Sequence, residues 1–506
     1  MPMRQRWFNY RPICLVFAFL LLGSLFSFYI VSNTILTTII SIIAFALLLF
    51  VAITRKKIKY LLVPLISFIV GVGFYFGALF IFNSTNYTTP NIITARVYSI
   101  NKEYDGYMTL KADACQFDGK NINSNLSIYY YDDSGLFENI EIGSVIEFKP
   151  TRVSKTDLLY FDLPNSRYYL DNIKYTATAY AEDSECLRVD KTFAEIVKEK
   201  IKENLHNGLT NENANIAYSS LFGESNTMSD EQYNIYKLSG IAHLIAVSGL
   251  NVGIIIAILH FILKSFKVNK WVNFIITTIF VFMYSYLCNF VFSIIRAAIM
   301  GLMFLLSDLL HEEYDGYTAL AISGILIFII DPFCIFDASF LLSFSCSFGI
   351  ITIYKPIRNM LSKINLPKAI AESMALTLAS TISIVIIMAF YFHNINIISL
   401  LANLVIIPIF ELVFTCTFVL SFLSLLAPFV TYLLYPMNYL LDFITILSAC
   451  FAGLSFSNLY TQSFNYIMVV LYFLIMLLVS RMCVAKYQYK IAITLPMVAI
   501  LIVFLL

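Results

Sequence analysis

Charge is scarce in this sequence. Of 506 residues, 33 are Lys or Arg and 32 are Asp or Glu, 13% in all, against about 25% in soluble domains. That excludes an ordinary soluble protein. The net charge of +1 excludes no partner by itself, because distribution matters more. Histidine is rare and scattered (His206, His243, His260, His311, His393), so no zinc cluster is legible. No CxxC pair occurs, which argues against a thiolate metal site. Most of the nine cysteines (Cys14, Cys288, Cys334, Cys346, Cys416, Cys450, Cys483) lie in apolar segments and read as small core hydrophobes. There is no HExxH and no GxxxxGK[ST] loop, and Ser248 sits in AVSGLN rather than GxSxG. No metal, cofactor or nucleotide hydrolysis is therefore expected of this chain, and no enzyme activity.

What the sequence has in abundance is apolar runs. It is 59% hydrophobic with a mean hydropathy of +0.79, the composition of a polytopic membrane protein. Runs near 13–31, 35–53 and 60–82 are each long enough for a bilayer core of about 30 Å. Basic residues precede the first, but no small-residue cleavage site closes it, so it reads as an uncleaved first span. Arg4, Arg6 and Arg11 precede the first span, and Arg55, Lys56, Lys57 and Lys59 separate the next two. By the positive-inside rule this places the N-terminus in the cytoplasm and residues 83–191 outside. Further spans are expected near 240–263, 272–290, 291–310, 316–331, 336–354, 370–391, 396–426 (two, or one broken at Pro408), 429–452, 464–482 and 489–506. The total is about twelve or thirteen helices. The loops carrying Lys264, Lys267 and Lys270 and then Lys355, Arg358, Lys363 and Lys368 agree with the same orientation.

Residues 83–191 differ in kind. Strand-like stretches at Ile92–Ile100, Tyr107–Ala114, Asn125–Tyr131, Ser144–Val153 and Tyr175–Ala181 are separated by turn dipeptides such as Asp105-Gly106 and Asp118-Gly119. Five strands in about a hundred residues suggest a small OB-like barrel. Eleven Lys and Arg against sixteen Asp and Glu give this segment a net charge of −5, the wrong sign for phosphate binding. Lys149, Arg152 and Lys155 are the natural local basic patch. Tyr129, Tyr130, Tyr131, Tyr168 and Tyr169 either offer faces on which bases stack or belong to the strands' own core and surface. Cys115 and Cys186 are either a disulfide in an oxidising outer compartment or two unpaired thiols. Residues 192–236 form an amphipathic interfacial segment, with Phe193, Ile196, Val197, Ile201 and Leu205 at helical spacing facing either a membrane surface or the domain. Ser229, before Asp230 and Glu231, reads as a helix N-cap.

From 237 the chain reads as one polytopic domain, and its polar residues stand out. KLSGIAHLIAVSGLNVGIII (237–256) reads as one apolar helix carrying Gly240, His243, Ser248, Gly249 and Asn251. Residues 243, 248 and 251 fall near one stripe, where they either line an aqueous path or bond neighbouring helices. Arg296, inside VFSIIRAAIMGLMFLL, needs a carboxylate, carbonyls or water. Asp331, Asp337 and Glu411 are candidate partners, the two aspartates alternatively belonging to a wet interfacial loop. Asn403, Pro408 and Glu411 interrupt another apolar run, as broken helices beside a cavity do.

These segments, in their order, resemble the ComEC family of competence proteins, membrane channels for DNA uptake. SSLFGESNTMSDEQYNIYKLSGIAHLIAVSGLNVGIII (219–256) resembles the family's central motif, a short LxG segment followed by Gly-x-x-His-Leu-x-Ala-x-Ser-Gly. IIRAAIMGLM (294–303), DPFCIFDASFLLSFSCSFGI (331–350) and FHNINIISLLANLVIIPI (392–409) follow in the family's order. The resemblance covers about residues 10 to 430. It implies passage of single-stranded DNA across the cytoplasmic membrane, with the OB-like domain meeting the strand outside. It carries over Gly240, His243, Ser248, Gly249, Arg296, Asp331, Asp337 and Ser343. It also implies a DNA receptor and a cytoplasmic helicase-like motor as partners, since this chain has no ATPase motif, besides contact with membrane lipid. Asn251 stands where the family usually has a second histidine, and Leu341 where it often has glutamine. Many members continue into a metallo-β-lactamase-like domain with an HxHxDH motif. That motif is absent here, so any strand-degrading nuclease is expected to be a separate protein. Two other readings fit the residues: a transporter or flippase for another polyanion or a lipid-linked substrate, and an intramembrane hydrolase using His243 and Ser248.

Overall fold

A computed structural model describes residues 11–32, 59–83, 89–102, 107–132, 140–155, 171–364, 367–454, 458–460, 472, 475 and 476. The expected spans at 35–53 and 489–506, nearly all of 464–482, and Tyr168 and Tyr169 lie outside the described residues. The chain divides into two compact units, one of residues 1–72, 204–330 and 338–506, the other of residues 73–203 with 331–337.

The second unit is built on strands β1 Ile93–Lys102, β2 Tyr107–Phe117, β3 Lys120–Asn121, β4 Asn125–Tyr131, β5 Ser144–Phe148, β6 Arg152–Lys155, β7 Ile173–Tyr180 and β8 Ser184–Val189. They hydrogen-bond in the order β6-β7-β4-β2-β1-β5-β8, with β3 beside β2. The run expected as one strand at 144–153 is two, β5 on β1 and β6 on β7. Because only 149–151 separate them, one bent stretch touches both flanks of the sheet and closes the path into a ring. β4 and β7 pair in parallel; the other pairings are antiparallel. The ring encloses Val97, Leu110, Leu126, Ile128, Ile146 and Phe148, each alternating along its strand with outward residues, as the pleat requires. β8 is a strand the sequence did not announce, since five of its six residues are exposed and no alternation marks it.

Cysteine pairing is corrected here. Cys115 and Cys186 are free thiols, the first buried and the second exposed. Along β2, Met108, Leu110 and Ala112 face inward, so parity alone would turn residue 115 outward. Ala114 takes a positive φ of 47° and the β1 register slips beside it. This bulge turns Cys115 into the core, and its Sγ lies 3.6 Å from the Ala112 carbonyl.

Several cations of this unit are spent on acids. Arg96 meets Asp113 at 2.5 Å and Glu195 at 3.2 Å, Lys111 meets Asp171 at 2.5 Å, and Lys191 meets Glu141 and Glu199. Lys149, Arg152 and Lys155 are exposed at the bend, and Lys149 and Arg152 make no ion pair among the described residues. Tyr130 points inward, its hydroxyl 2.7 Å from Ser184 Oγ. Tyr107, Tyr131 and Tyr180 form an outward row across β2, β4 and β7, with centroids 5.2 and 5.3 Å apart. In the same unit, Asp331 caps the 3-10 turn Pro332–Phe336 by accepting Phe333 N–H at 2.8 Å, and Asp337 closes it.

The other unit is helical. α1 is Pro12–Ser32, and α2 (Lys59–Asn83) begins here. α3 Phe193–Gly208 belongs to the β-rich unit as far as residue 203. α4 Asn211–Phe222, α5 Asp230–Leu238, α6 Ala242–Ile245, α7 Gly249–Ser265, α8 Lys270–Leu287, α9 Phe292–Leu310 and α10 Gly316–Ile330 follow. α11 Ala338–Leu361, α12 Lys368–Phe392, α13 Ser399–Ser424 and α14 Met437–Ala452 complete the helices, with a two-stranded pairing of β9 Asn394–Asn396 and β10 Asn458–Tyr460. Ser229 caps α5 as its sequence predicts, accepting Gln232 N–H. Six helices among the described residues are long and apolar enough to cross a membrane: α2, α8, α9, α11, α12 and α13. A seventh is the Pro428–Leu434 turn taken with α14, bent by 43°. α7 and α10 are apolar but shorter. α13 runs through Pro408 without the expected break. Arg11 grips Asp315 with two bonds of 2.8 and 2.7 Å, tying α1 to the start of α10. Arg358 meets Glu372 at 2.7 Å between α11 and α12.

Candidate functional site

The stretch 237–256 is not one helix. α5 ends at Leu238, and Gly240 turns the chain with φ +81°. A side chain there would collide with Ser399 and Asn396. Asn396 fixes the turn from α13's side, donating to the Leu238 carbonyl at 2.6 Å while its Oδ1 accepts Ser399 N–H at 2.7 Å. One turn of helix, α6, carries His243. His243 is exposed. The backbone is then extended at Ala246 and Ser248, and α7 starts afresh.

Ser248 is the N-cap of α7. Its Oγ accepts Asn251 N–H at 3.4 Å and donates to Asn251 Oδ1 at 3.1 Å. Asn251, 4% exposed, passes the contact on, its Nδ2 donating to the Ser220 carbonyl at 3.2 Å. Leu221, at the end of α4, receives two more bonds, its carbonyl accepting from Tyr284 Oη at 2.8 Å and from Cys288 Sγ at 3.6 Å. Within the break, the Val247 carbonyl accepts from Ser293 Oγ at 3.1 Å. The expected stripe of His243, Ser248 and Asn251 is therefore corrected. The helix break separates the histidine from the other two, and Ser248 and Asn251 are committed to capping and to α4.

Arg296, in the second turn of α9, is 7% exposed. Its guanidinium lies against Gly249, where any side chain would strike Nη2. Nη1 donates to the Ser343 carbonyl and to Ser347 Oγ on α11. Nε is buried with no partner, and Arg296 makes no ion pair among the described residues. A cation is thus held beside the N-terminal end of α7, itself a site of partial positive charge, with no carboxylate to balance it. Asn403 on α13 is a second orphan of this unit, 8% exposed with Oδ1 unpartnered. No group of three or more metal-ligating side chains occurs among the described residues.

The structure thus brings together Gly249, Arg296 and Ser343, and separately joins Gly240 to α13. Asp331 and Asp337, with Lys149, Arg152 and Lys155, belong to the other unit. Leu341 packs on an apolar cluster with Ile386 and Ile387. Sequence reasoning missed Ser347, Asn396, Ser220 and Ser293. Only SFSCSFG, with serines four apart at 343 and 347, hints at one of them.

The fold and this site define a class, a multi-pass helical membrane protein with a β-rich unit and a polar break in its bundle. The sequence model of a family described as Competence protein matches residues 220–485, which hold the whole break and Arg296. A stretch of 191 residues, 37% of this chain, is 29% identical to "ComE operon protein 3" of Bacillus subtilis (strain 168), of which it covers 24%. The chain belongs to the ComEC family of competence proteins. No solved structure matches it.

Proposed function

We propose that the protein passes single-stranded DNA across the cytoplasmic membrane, with the break at 239–248 and Arg296 bordering the strand's path. The carrying observation is the buried guanidinium without a carboxylate. Burying a cation unpaired is costly, and such residues inside membrane bundles mark ion or substrate pathways. A phosphodiester passing Gly249 supplies the missing negative charge. His243, with its open surface, borders the same break, near the outer mouth. The N-terminus lies in the cytoplasm, 83–191 lie outside, and 192–236 sit at the interface. The strand order, the parallel β4–β7 pair and the bent closing strand support the OB-like reading of 83–191. Lys149 and Arg152, with Lys155 beside them, are its basic patch. A DNA receptor and a cytoplasmic helicase-like motor complete the machinery. The reading assigns this chain transport rather than catalysis. In its support, Ser248 Oγ is engaged by Asn251 and not by an imidazole.

The test is Arg296→Gln and Arg296→Lys, followed by uptake of labelled DNA and, separately, transformation by DNA electroporated into the cell. Gln is expected to cut uptake about tenfold to hundredfold, the worth of a charge-assisted hydrogen bond. Lys should restore part of it, and electroporated DNA should transform normally. Wild-type uptake by the Gln variant, at wild-type abundance in the membrane, overturns the proposal. Normal DNA uptake with loss of another polyanion's transport would favour a different cargo.

A further inference from the structure

A cavity of about 200 Å³ opens where the end of α7, the start of α8 and the last turns of α9 meet. Its polar lining is His260, Lys264, Lys270, Asn273 and Asp308, and Phe274 and Leu305 form its apolar wall. Asn273 makes a fixed floor. It is 4% exposed, its Nδ2 donates to the His260 carbonyl at 3.4 Å, and its Oδ1 accepts from Thr277 at 3.3 Å. Lys270 reaches the single acid, Asp308, only at 3.8 Å, and both side chains stand more than half exposed. Lys264 makes no ion pair among the described residues. Two ammonium groups thus face one carboxylate around a space with room for a small anion.

The surroundings decide which anion. Phe261, Phe266, Trp271, Ile275 and Phe304 beside the cavity are all exposed. Such a surface belongs against acyl chains, with Trp at the headgroup level. A basic hollow edged by acyl-facing side chains complements a phospholipid, phosphate inward and chains along the helices. Basic pockets between membrane helices hold anionic headgroups in this way. Lys264 and Lys270 also follow the positive-inside pattern, on the leaflet side where anionic lipid attracts them.

We infer that this cavity is a binding site for the headgroup of an anionic phospholipid, with Lys264 and Lys270 as its phosphate ligands. The site is independent of the DNA path, and nothing in its chemistry rests on Arg296.

The experiment uses the full-length protein in mixed micelles, with retained lipid counted by native mass spectrometry. Phosphatidylglycerol, phosphatidylcholine and free glycerol 3-phosphate are offered separately. Wild type should retain phosphatidylglycerol and release phosphatidylcholine, and glycerol 3-phosphate should not displace the lipid. Lys264→Gln with Lys270→Gln should weaken retention about 25-fold, some fivefold for each lysine. Lys267→Gln, exposed but outside the lining, should change little. Asp308→Asn should strengthen retention, a gain that misfolding cannot mimic. Equal retention of the two lipids overturns the proposal. So does wild-type retention by the double variant, or no gain from Asp308→Asn. Full displacement by glycerol 3-phosphate would leave a site for free phosphate and overturn the lipid assignment.

Discussion

A guanidinium inside a helical bundle costs several kcal/mol unless something answers its charge. Arg296 is answered by a carbonyl and a hydroxyl, which satisfy donors but do not neutralise. Gly249 is glycine for the same contact, since the guanidinium occupies the space where a Cβ would stand. Cysteine chemistry is likewise decided residue by residue. Burial pushes the Cys115 thiol up to about 12, so it is almost wholly protonated near neutral pH. Cys186 is exposed on β8. A maleimide is expected to label Cys186 in the folded protein and to reach Cys115 only after denaturation, as peptide mass mapping would show. Rapid labelling of Cys115 without denaturant would contradict the bulge at Ala114.

At the scale of elements, the break between α5 and α7 depends on one left-handed residue and one seam. Gly240→Ala forces a Cβ into the left-handed region, at roughly 1–2 kcal/mol, and drives it into Ser399. The expected loss is about 2–4 kcal/mol, overpacking included, read as a lower thermal midpoint in detergent and lower abundance in the membrane. A variant as stable as wild type would mean the turn is not held against α13 as described. The 3-10 turn between α10 and α11 offers a pH test. Burial raises the Asp331 carboxyl from its usual range to about 6, opposed by the Phe333 N–H bond and reinforced by Asp337. The folded protein therefore binds the proton more tightly than the unfolded chain. This contribution to stability is complete below about pH 4 and is lost as pH rises through about 6. Asp331→Asn, permanently neutral, should flatten that part of the stability profile and gain most over wild type above pH 6. Thermal melts from pH 4 to 8 would show it. Parallel profiles for the two proteins would exclude a buried, protonatable Asp331.

For the whole molecule, the proposed path brings an acidic β-rich unit to a polyanion. Net charge is a poor guide, because Arg96, Lys111 and Lys191 are already matched to acids. Lys149 and Arg152 make no ion pair among the described residues, and they stand where the bent strand closes the ring. Replacing both by Gln in the full-length protein should weaken oligonucleotide binding and lower its salt slope by about one to two, the value for two lost phosphate contacts on a single strand. An unchanged slope would move DNA contact away from the bend between β5 and β6. The outward row of Tyr107, Tyr131 and Tyr180 stacks ring on ring, which supports the sheet through cross-strand pairs.

The sequence by itself determined the class. Scarce charge and long apolar runs dictate spanning helices, because a bilayer offers no partner to a backbone outside a helix. Alternation placed β1, β2, β4 and β7 within a few residues, because a half-buried strand must present every second side chain to the core. Ser229 was legible as a cap because capping is local, within three residues. Tertiary structure alone decided the rest, since each remaining feature rests on a partner distant in the chain. An apolar run at 237–256 reads the same whether or not its helical ladder is broken. The break exists because Asn396 and Ser293 satisfy the Leu238 and Val247 carbonyls that the ladder abandons. Cys115 faces inward because a bulge resets the register against β1, and the 144–155 run divides because its two halves find different neighbours. Arg296 was visible as an anomaly from its position in an apolar helix. That its companions are Gly249, Ser343 and Ser347, and not a carboxylate, depends on which helices the fold brings beside it.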